Sequence, residues 1–143
     1  MKPTLLIAEA DHDLCGLYQR YFTLQGYSVE TVHDGLECVG RLSEIRPDLL
    51  ILGWELLWGG GEGVLGYMFH DERLKPIPVI LLTTTLTPQL SEAYTDLVAQ
   101  VYSKPCRLKA LAQGVNTCLE EGNSYAVSST EVCPQGAGPW LTS

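Results

Sequence analysis

The stretch Arg46-Pro47-Asp48-Leu49-Leu50-Ile51-Leu52-Gly53-Trp54-Glu55 constrains the fold more than any other part of the chain. Proline at position 47 disfavours helical backbone at Arg46, so a helix ends there. Four consecutive large aliphatics without polar alternation then predict a strand covered on both faces, as at the centre of a parallel sheet. In open α/β sheets, ligands gather in the crevice beyond the carboxyl ends of the strands. The first residue past this aliphatic run is Gly53, which has no side chain to do chemistry with.

The rest of the chain repeats the pattern around that strand. Thr4-Leu5-Leu6-Ile7-Ala8 predicts a first buried strand leading to Glu9-Ala10-Asp11-His12-Asp13. Asp11 or Asp13 caps the next helix by accepting from free N–H groups of its first turn. Leu14, Leu17, Tyr18, Tyr21 and Leu24 form its expected apolar face, and Gly26 stops it. Residues 27–32 alternate like a half-buried strand near a sheet edge. Asp34-Gly35-Leu36-Glu37 resembles a capping box, followed by a stripe of Leu36, Val39, Leu42 and Ile45.

After the central strand, Gly59, Gly60, Gly61 and Gly63 predict a flexible loop, and 64–69 a short helix. Residues 77–82 form another buried strand running into Thr83-Thr84-Thr85. Leu90, Ala93, Tyr94, Leu97 and Val98 predict a fourth helix, and Val101-Tyr102-Ser103 a short fifth strand. Leu108, Leu111, Ala112, Val115 and Leu119 predict a fifth helix. Strand and helix alternate five times, which predicts an α/β domain over 1–121 with helices on both faces of a parallel sheet. Residues 122–143, rich in Ser, Gly and Pro, read as a partly extended tail that either docks through Trp140 or leads elsewhere.

Charge and cysteine usage narrow the function. The net charge of −8, with no Lys or Arg beyond Lys109, disfavours nucleic-acid binding. No apolar run approaches the roughly 18 residues of a membrane span, and the first one is too short for a signal-peptide core. Five widely spaced cysteines without a C-x-x-C pattern read as small apolar residues in a reducing cytoplasm. His12, His33 and His70 lack metal-ligand spacing and read as surface or capping residues. The glycine cluster lacks the lysine and hydroxyl of a phosphate loop. Thr83-Thr84-Thr85 offers hydroxyls without a neighbouring histidine, which suits polar termination of a strand better than a nucleophile or phosphosite. Trp54 and Trp58 are either binding anchors or packing over Gly53.

Taken in order and spacing, these pieces resemble the receiver domain of bacterial two-component response regulators, the CheY-like, flavodoxin-like fold. The matching stretches are 5–11, 25–29, Asp34-Gly35, 46–52, 77–84 and Ser103-Lys104-Pro105. The resemblance implies a doubly wound five-stranded sheet of order 2-1-3-4-5, with the site between strands 1 and 3. In that family an Asp ending strand 3 accepts a phosphoryl group from a histidine kinase, and two acids after strand 1 help hold Mg2+. A Thr or Ser after strand 4 and a Lys after strand 5 contact the phosphoryl group. Position by position, the acceptor falls on Gly53, the acidic pair on Glu9 and Ala10 beside Asp11, the hydroxyl on Thr83 and the lysine on Lys104. The switch aromatic falls on Val101, with Tyr102 beside it.

Chemical expectations follow from those substitutions. An acyl phosphate needs a carboxylate nucleophile, and glycine has none. Mg2+ favours octahedral oxygen donors, commonly carboxylates with phosphate and water. Glu9, with a main-chain carbonyl near Glu55, is a thin remnant, so no cofactor is expected. Lys104 is expected to pair with Glu9 or Glu55, making the pocket a fixed structural joint. The resemblance places partner binding, by a histidine kinase, an effector or a second copy, on the fourth helix, fifth strand and fifth helix. That face includes Tyr94, Val98, Val101, Tyr102, Arg107 and Leu108. Overall the chain reads as a degenerate receiver in a phosphorelay, working as a phosphorylation-independent interaction module. A small-molecule or anion sensor built on the altered pocket is the alternative. An enzyme ranks last, for want of a phosphate loop or nucleophile–base pair.

Overall fold

The computed structural model describes residues 2–85 and 90–121. In chain order the elements are β1 (Thr4–Ala8), α1 (His12–Leu24), β2 (Ser28–Val32), α2 (Gly35–Ile45), β3 (Leu49–Gly53), α3 (Gly60–Phe69), β4 (Val79–Thr83), a 3-10 turn (Glu92–Leu97), β5 (Val98–Ser103) and α4 (Leu108–Glu121). All strand pairs are parallel, in the order β2-β1-β3-β4-β5. The tail at 122–143, with Trp140, lies outside the described residues.

Successive strand residues point to opposite faces, so an unbroken aliphatic strand feeds two interiors at once. Leu50 and Leu52 join Leu6, Leu81 and the buried faces of α2 and α3, including Cys38, Leu42, Val64, Leu65 and Met68. Leu49 and Ile51 point the other way, to Leu5, Ile7, Ile80 and Leu82 under α1 and α4. Every residue of β3 and β4 is buried, as the missing polar alternation requires.

Local signals set most boundaries. The Asp11 carboxylate accepts from the Asp13 and Leu14 amides at the start of α1. At α2 the Asp34 carboxylate accepts from the Glu37 amide, while Glu37 reaches back to the His33 amide, one residue earlier than an ordinary capping box. Arg46, with φ of 43°, closes α2 in the left-handed region just before Pro47.

Four expectations are corrected. The buried face of α1 is Cys15, Tyr18 and Phe22, leaving Leu17 and Leu24 exposed. In α2, Cys38 and Leu42 face inward while Leu36 is 66% exposed. Helix α3 begins at Gly60, so Gly60, Gly61 and Gly63 are helical rather than part of a loop. Gly61 is needed there because a Cβ would come within 2.9 Å of the Trp54 ring. The fourth helix is only the 3-10 turn, and Val98 already belongs to β5, which starts three residues earlier than expected. β5 draws these residues into the ladder because Val98 pairs with Val79, with an irregularity before Gln100 pairs with Ile80.

The two-sided burial of β3 gives a direct check. Leu50→Ala should lower unfolding free energy in urea by about 2–5 kcal/mol, as truncations of fully buried leucines do. Leu36→Ala, at the one position of the expected stripe that proved exposed, should change it by about 0.5 kcal/mol or less.

Candidate functional site

Main-chain hydrogen bonds beyond the strand ends carry the sheet into its rim. The Glu9 amide donates to the Val32 carbonyl at 3.1 Å, Trp54 to Leu82 at 2.8 Å, and Lys104 to Thr83 at 2.8 Å. Glu9, Gly53, Thr83 and Lys104 therefore end neighbouring strands at one edge of the sheet. The Lys104–Pro105 peptide bond is cis.

The centre of the rim is an ion pair. The Lys104 amine donates to the Glu9 carboxylate at 3.0 Å and 3.3 Å. It also lies 3.8 Å from the Glu55 carboxylate. The Glu9 side chain is 3% exposed and that of Lys104 12%, so water screens the pair poorly. The Asp11 amide adds a second donor to Glu9, at 3.1 Å. Gly53 lies directly beneath: a Cβ there would sit 3.1 Å from the Ala8 carbonyl and 3.2 Å from the Glu9 carboxylate.

A second carboxylate closes the outer side. One oxygen of Glu55 accepts from the Thr83 hydroxyl at 2.8 Å, and from the Thr84 amide and hydroxyl at 3.1 Å each. The Thr85 hydroxyl approaches the same oxygen at 3.4 Å. Partial burial alone would raise the pKa of Glu55. The Thr83 and Thr84 hydrogen bonds and the charge of Lys104 outweigh it and hold the group below its ordinary value of 4.5.

The remaining expected residues separate from this centre. Asp11 spends its carboxylate on the α1 cap, and Ala10 is partly buried against the apolar core. These donors do not fit a Mg2+ site. Both Glu9 oxygens face an ammonium group, Asp11 is committed elsewhere, and no cluster of three or more His, Cys, Asp or Glu could hold a metal among the described residues.

The six residues of the expected interaction face do not share one layer. Tyr94, Val98 and Val101 pack toward the α2–α3 interior, whereas Tyr102 and Leu108 pack toward α1 and α4. Arg107 is exposed. Tyr94 turns onto α3, with its ring 5.6 Å from that of Phe69 and its hydroxyl against Gly66. Trp54 is partly buried against the α2–α3 core, while Trp58 is 71% exposed with φ of 59°.

Three features escaped sequence reasoning. Thr84 and Thr85 join Thr83 around Glu55. His12 and His33 stack with centroids 3.8 Å apart, and His33 Nδ1 lies 3.2 Å from the Glu9 carbonyl. On the far side of β5 the Tyr102 hydroxyl donates to the Gln100 side chain at 2.6 Å, and Gln100 in turn bonds the Gly114 carbonyl at 3.4 Å. The expected strand began at Val101, so Gln100 fell outside it and no sequence signal pointed to the last of these.

The parallel order 2-1-3-4-5, with acid, hydroxyl and lysine on the ends of strands 1, 4 and 5, defines a receiver-type signalling domain. The chain belongs to the response regulator receiver domain family, whose model matches residues 5–116. Among curated proteins it is 26% identical over 136 residues to the transcriptional regulatory protein PrrA of Mycobacterium leprae, covering 94% of this chain and 57% of PrrA. It is 25% identical over 120 residues to the polar-differentiation response regulator DivK of Brucella anthropi, covering 83% of this chain and 98% of DivK. The chain thus spans just over half the length of PrrA and nearly all of DivK. A solved receiver domain of a signal transduction histidine kinase from Syntrophus aciditrophicus superposes with a TM-score of 0.76 at 27% identity, covering 87% of this chain and 96% of that one. No helix among the described residues is long and apolar enough to cross a membrane.

Two measurements test the rim. Lys104→Met leaves Glu9 charged and buried without its cation, and should lower stability by about 3–5 kcal/mol in urea unfolding. Because the pKa of Glu55 is lower folded than unfolded, its contribution is full above about pH 4.5 and is lost as pH falls through the folded value. Stability curves of the wild type and Glu55→Gln should therefore be separated at pH 6 and converge in acid.

Proposed function

We propose that this receiver domain works without phosphorylation, as a protein-interaction module of a two-component system. The observation that carries the reading is the Lys104–Glu9 ion pair closed directly over Gly53. On the family's pattern Gly53 stands where the phosphoryl acceptor would be, and a glycine cannot form an acyl phosphate. Lys104, which would meet the phosphoryl group, is already neutralised by a buried carboxylate. The pocket then acts as a fixed joint between the ends of β1 and β5, and the surrounding surface is offered in one conformation.

The partner under this reading is a histidine kinase, a downstream effector or a second copy of the chain. β5 is an edge strand of the sheet, and Arg107 beyond it is exposed. The region around β5 and the start of α4 is therefore the proposed contact. The sensor alternative has less support, because the pocket's lysine and threonine donors are already engaged within the chain.

Incubation with acetyl phosphate and Mg2+ tests the central claim. The intact mass should remain that of the unmodified chain. A stable gain of one phosphoryl group mapping to residues 50–56 would overturn the reading.

A further inference from the structure

We infer that Glu55 is a built-in ligand of the rim: an intramolecular carboxylate that occupies an anion site made by Thr83, Thr84 and Lys104, and latches the β3–α3 loop to the end of β4. The inference deepens the preceding reading and rests on it for its meaning in signalling.

The geometry is that of a bound anion. Two hydroxyls and one main-chain amide, from Thr83 and Thr84, converge within 3.1 Å on one carboxylate oxygen, and the Lys104 amine lies 3.8 Å from the other. Donors to an ionised acceptor form the stronger class of hydrogen bond. One donor is anchored by the sheet itself. Thr83 is buried at the end of β4, and its carbonyl accepts from the Lys104 amide at 2.8 Å. The Thr83 hydroxyl also accepts from the Thr85 amide at 2.9 Å, which curls the threonine segment around the site.

Glu55, by contrast, lies between β3 and α3, and its side chain is 38% exposed. It can leave the site without dismantling the core, whereas the buried Thr83 of β4 cannot. The charged groups facing Glu55 are Lys104, which favours its ionised form, and Glu9 behind that lysine, which takes up much of the lysine's charge. The latch therefore depends chiefly on the threonine donors. It adds a side-chain tie between the β3–α3 loop and the end of β4, beyond the main-chain bond from the Trp54 amide to the Leu82 carbonyl.

Chemical rescue in the 143-residue chain tests this assignment. Glu55→Ala should lower Tm by about 4 °C or more and shift the Thr84 amide resonance. Sodium acetate, but not sodium chloride at equal ionic strength, should restore both in a saturable way, and should leave the wild type unchanged. The double variant Glu55→Ala, Thr83→Val should show no rescue. In the wild type the Thr84 amide shift should follow one carboxylate titration that vanishes in Glu55→Gln, a measurement available even if the alanine variant fails to fold. An unshifted Thr84 amide in Glu55→Ala, equal acetate effects on variant and wild type, or a Thr84 titration that persists in Glu55→Gln would overturn the latch. No phosphodonor is present, so such a failure leaves the reading of Gly53 to its own test.

Discussion

Lys104 reaches Glu9 across two intervening strands, and that reach organises the rim. Neighbouring strands lie about 4.8 Å apart, so the ends of β1 and β5 are separated by roughly three such steps. Two extended side chains span that gap only if nothing stands between them. β3 supplies the opening, because its last residue projects no side chain into the space and a Cβ there would already crowd the Glu9 carboxylate. A buried pair of this kind need not stabilise the fold relative to a well-packed apolar substitute. It does fix geometry, because removing either partner strands the other charge. The pair is therefore better understood as a specification of shape than as a source of stability.

Around that pair the sheet provides rigidity and the loops provide chemistry. β3 and β4 are buried on both faces, and their main-chain ladder continues past the last strand residue into the Trp54 and Lys104 amides. Side chains attached at those points inherit the positional order of the core. Glu55, two residues beyond β3, is the first that can choose its partner, and the threonines at the end of β4 give it one. The rim thus carries two carboxylates with different roles: one sealed against a lysine, the other half in water against hydroxyls and an amide.

Much of this was legible from residue types. The unbroken aliphatic runs at 5–7, 49–52 and 79–82 read as double-sided strands, and the receiver resemblance that their order and spacing carry implies the topology. The pairing of Lys104 with Glu9 or Glu55 was an expectation carried by the receiver resemblance, and the structure makes Glu9 the nearer partner. What resisted reading was decided by tertiary packing. Leu14, Leu17, Tyr18, Tyr21 and Leu24 make a plausible stripe, yet a small rotation that buries Cys15 and Phe22 suits the sheet better. Residues 60–63 look unhelical by propensity, but the Trp54 ring packs where only Gly61 fits, and tertiary contact overrides the local penalty. The Glu55–threonine contact joins residues nearly thirty positions apart through the Glu55 side chain, and no periodicity announces such a meeting.

The division of each strand between two interiors has a further consequence. A slip of one position in β3 would exchange Leu50 and Leu52 with Leu49 and Ile51 and send every side chain to the wrong helical layer. The strands are thereby closed to insertion or deletion, while the charged residues Glu9, Glu55 and Lys104 lie just beyond the last residues of β1, β3 and β5. Scaffold and chemistry are thus divided along the chain: the two interiors set the register of the strands, and a rim substitution acts on charge and stability at the strand ends instead.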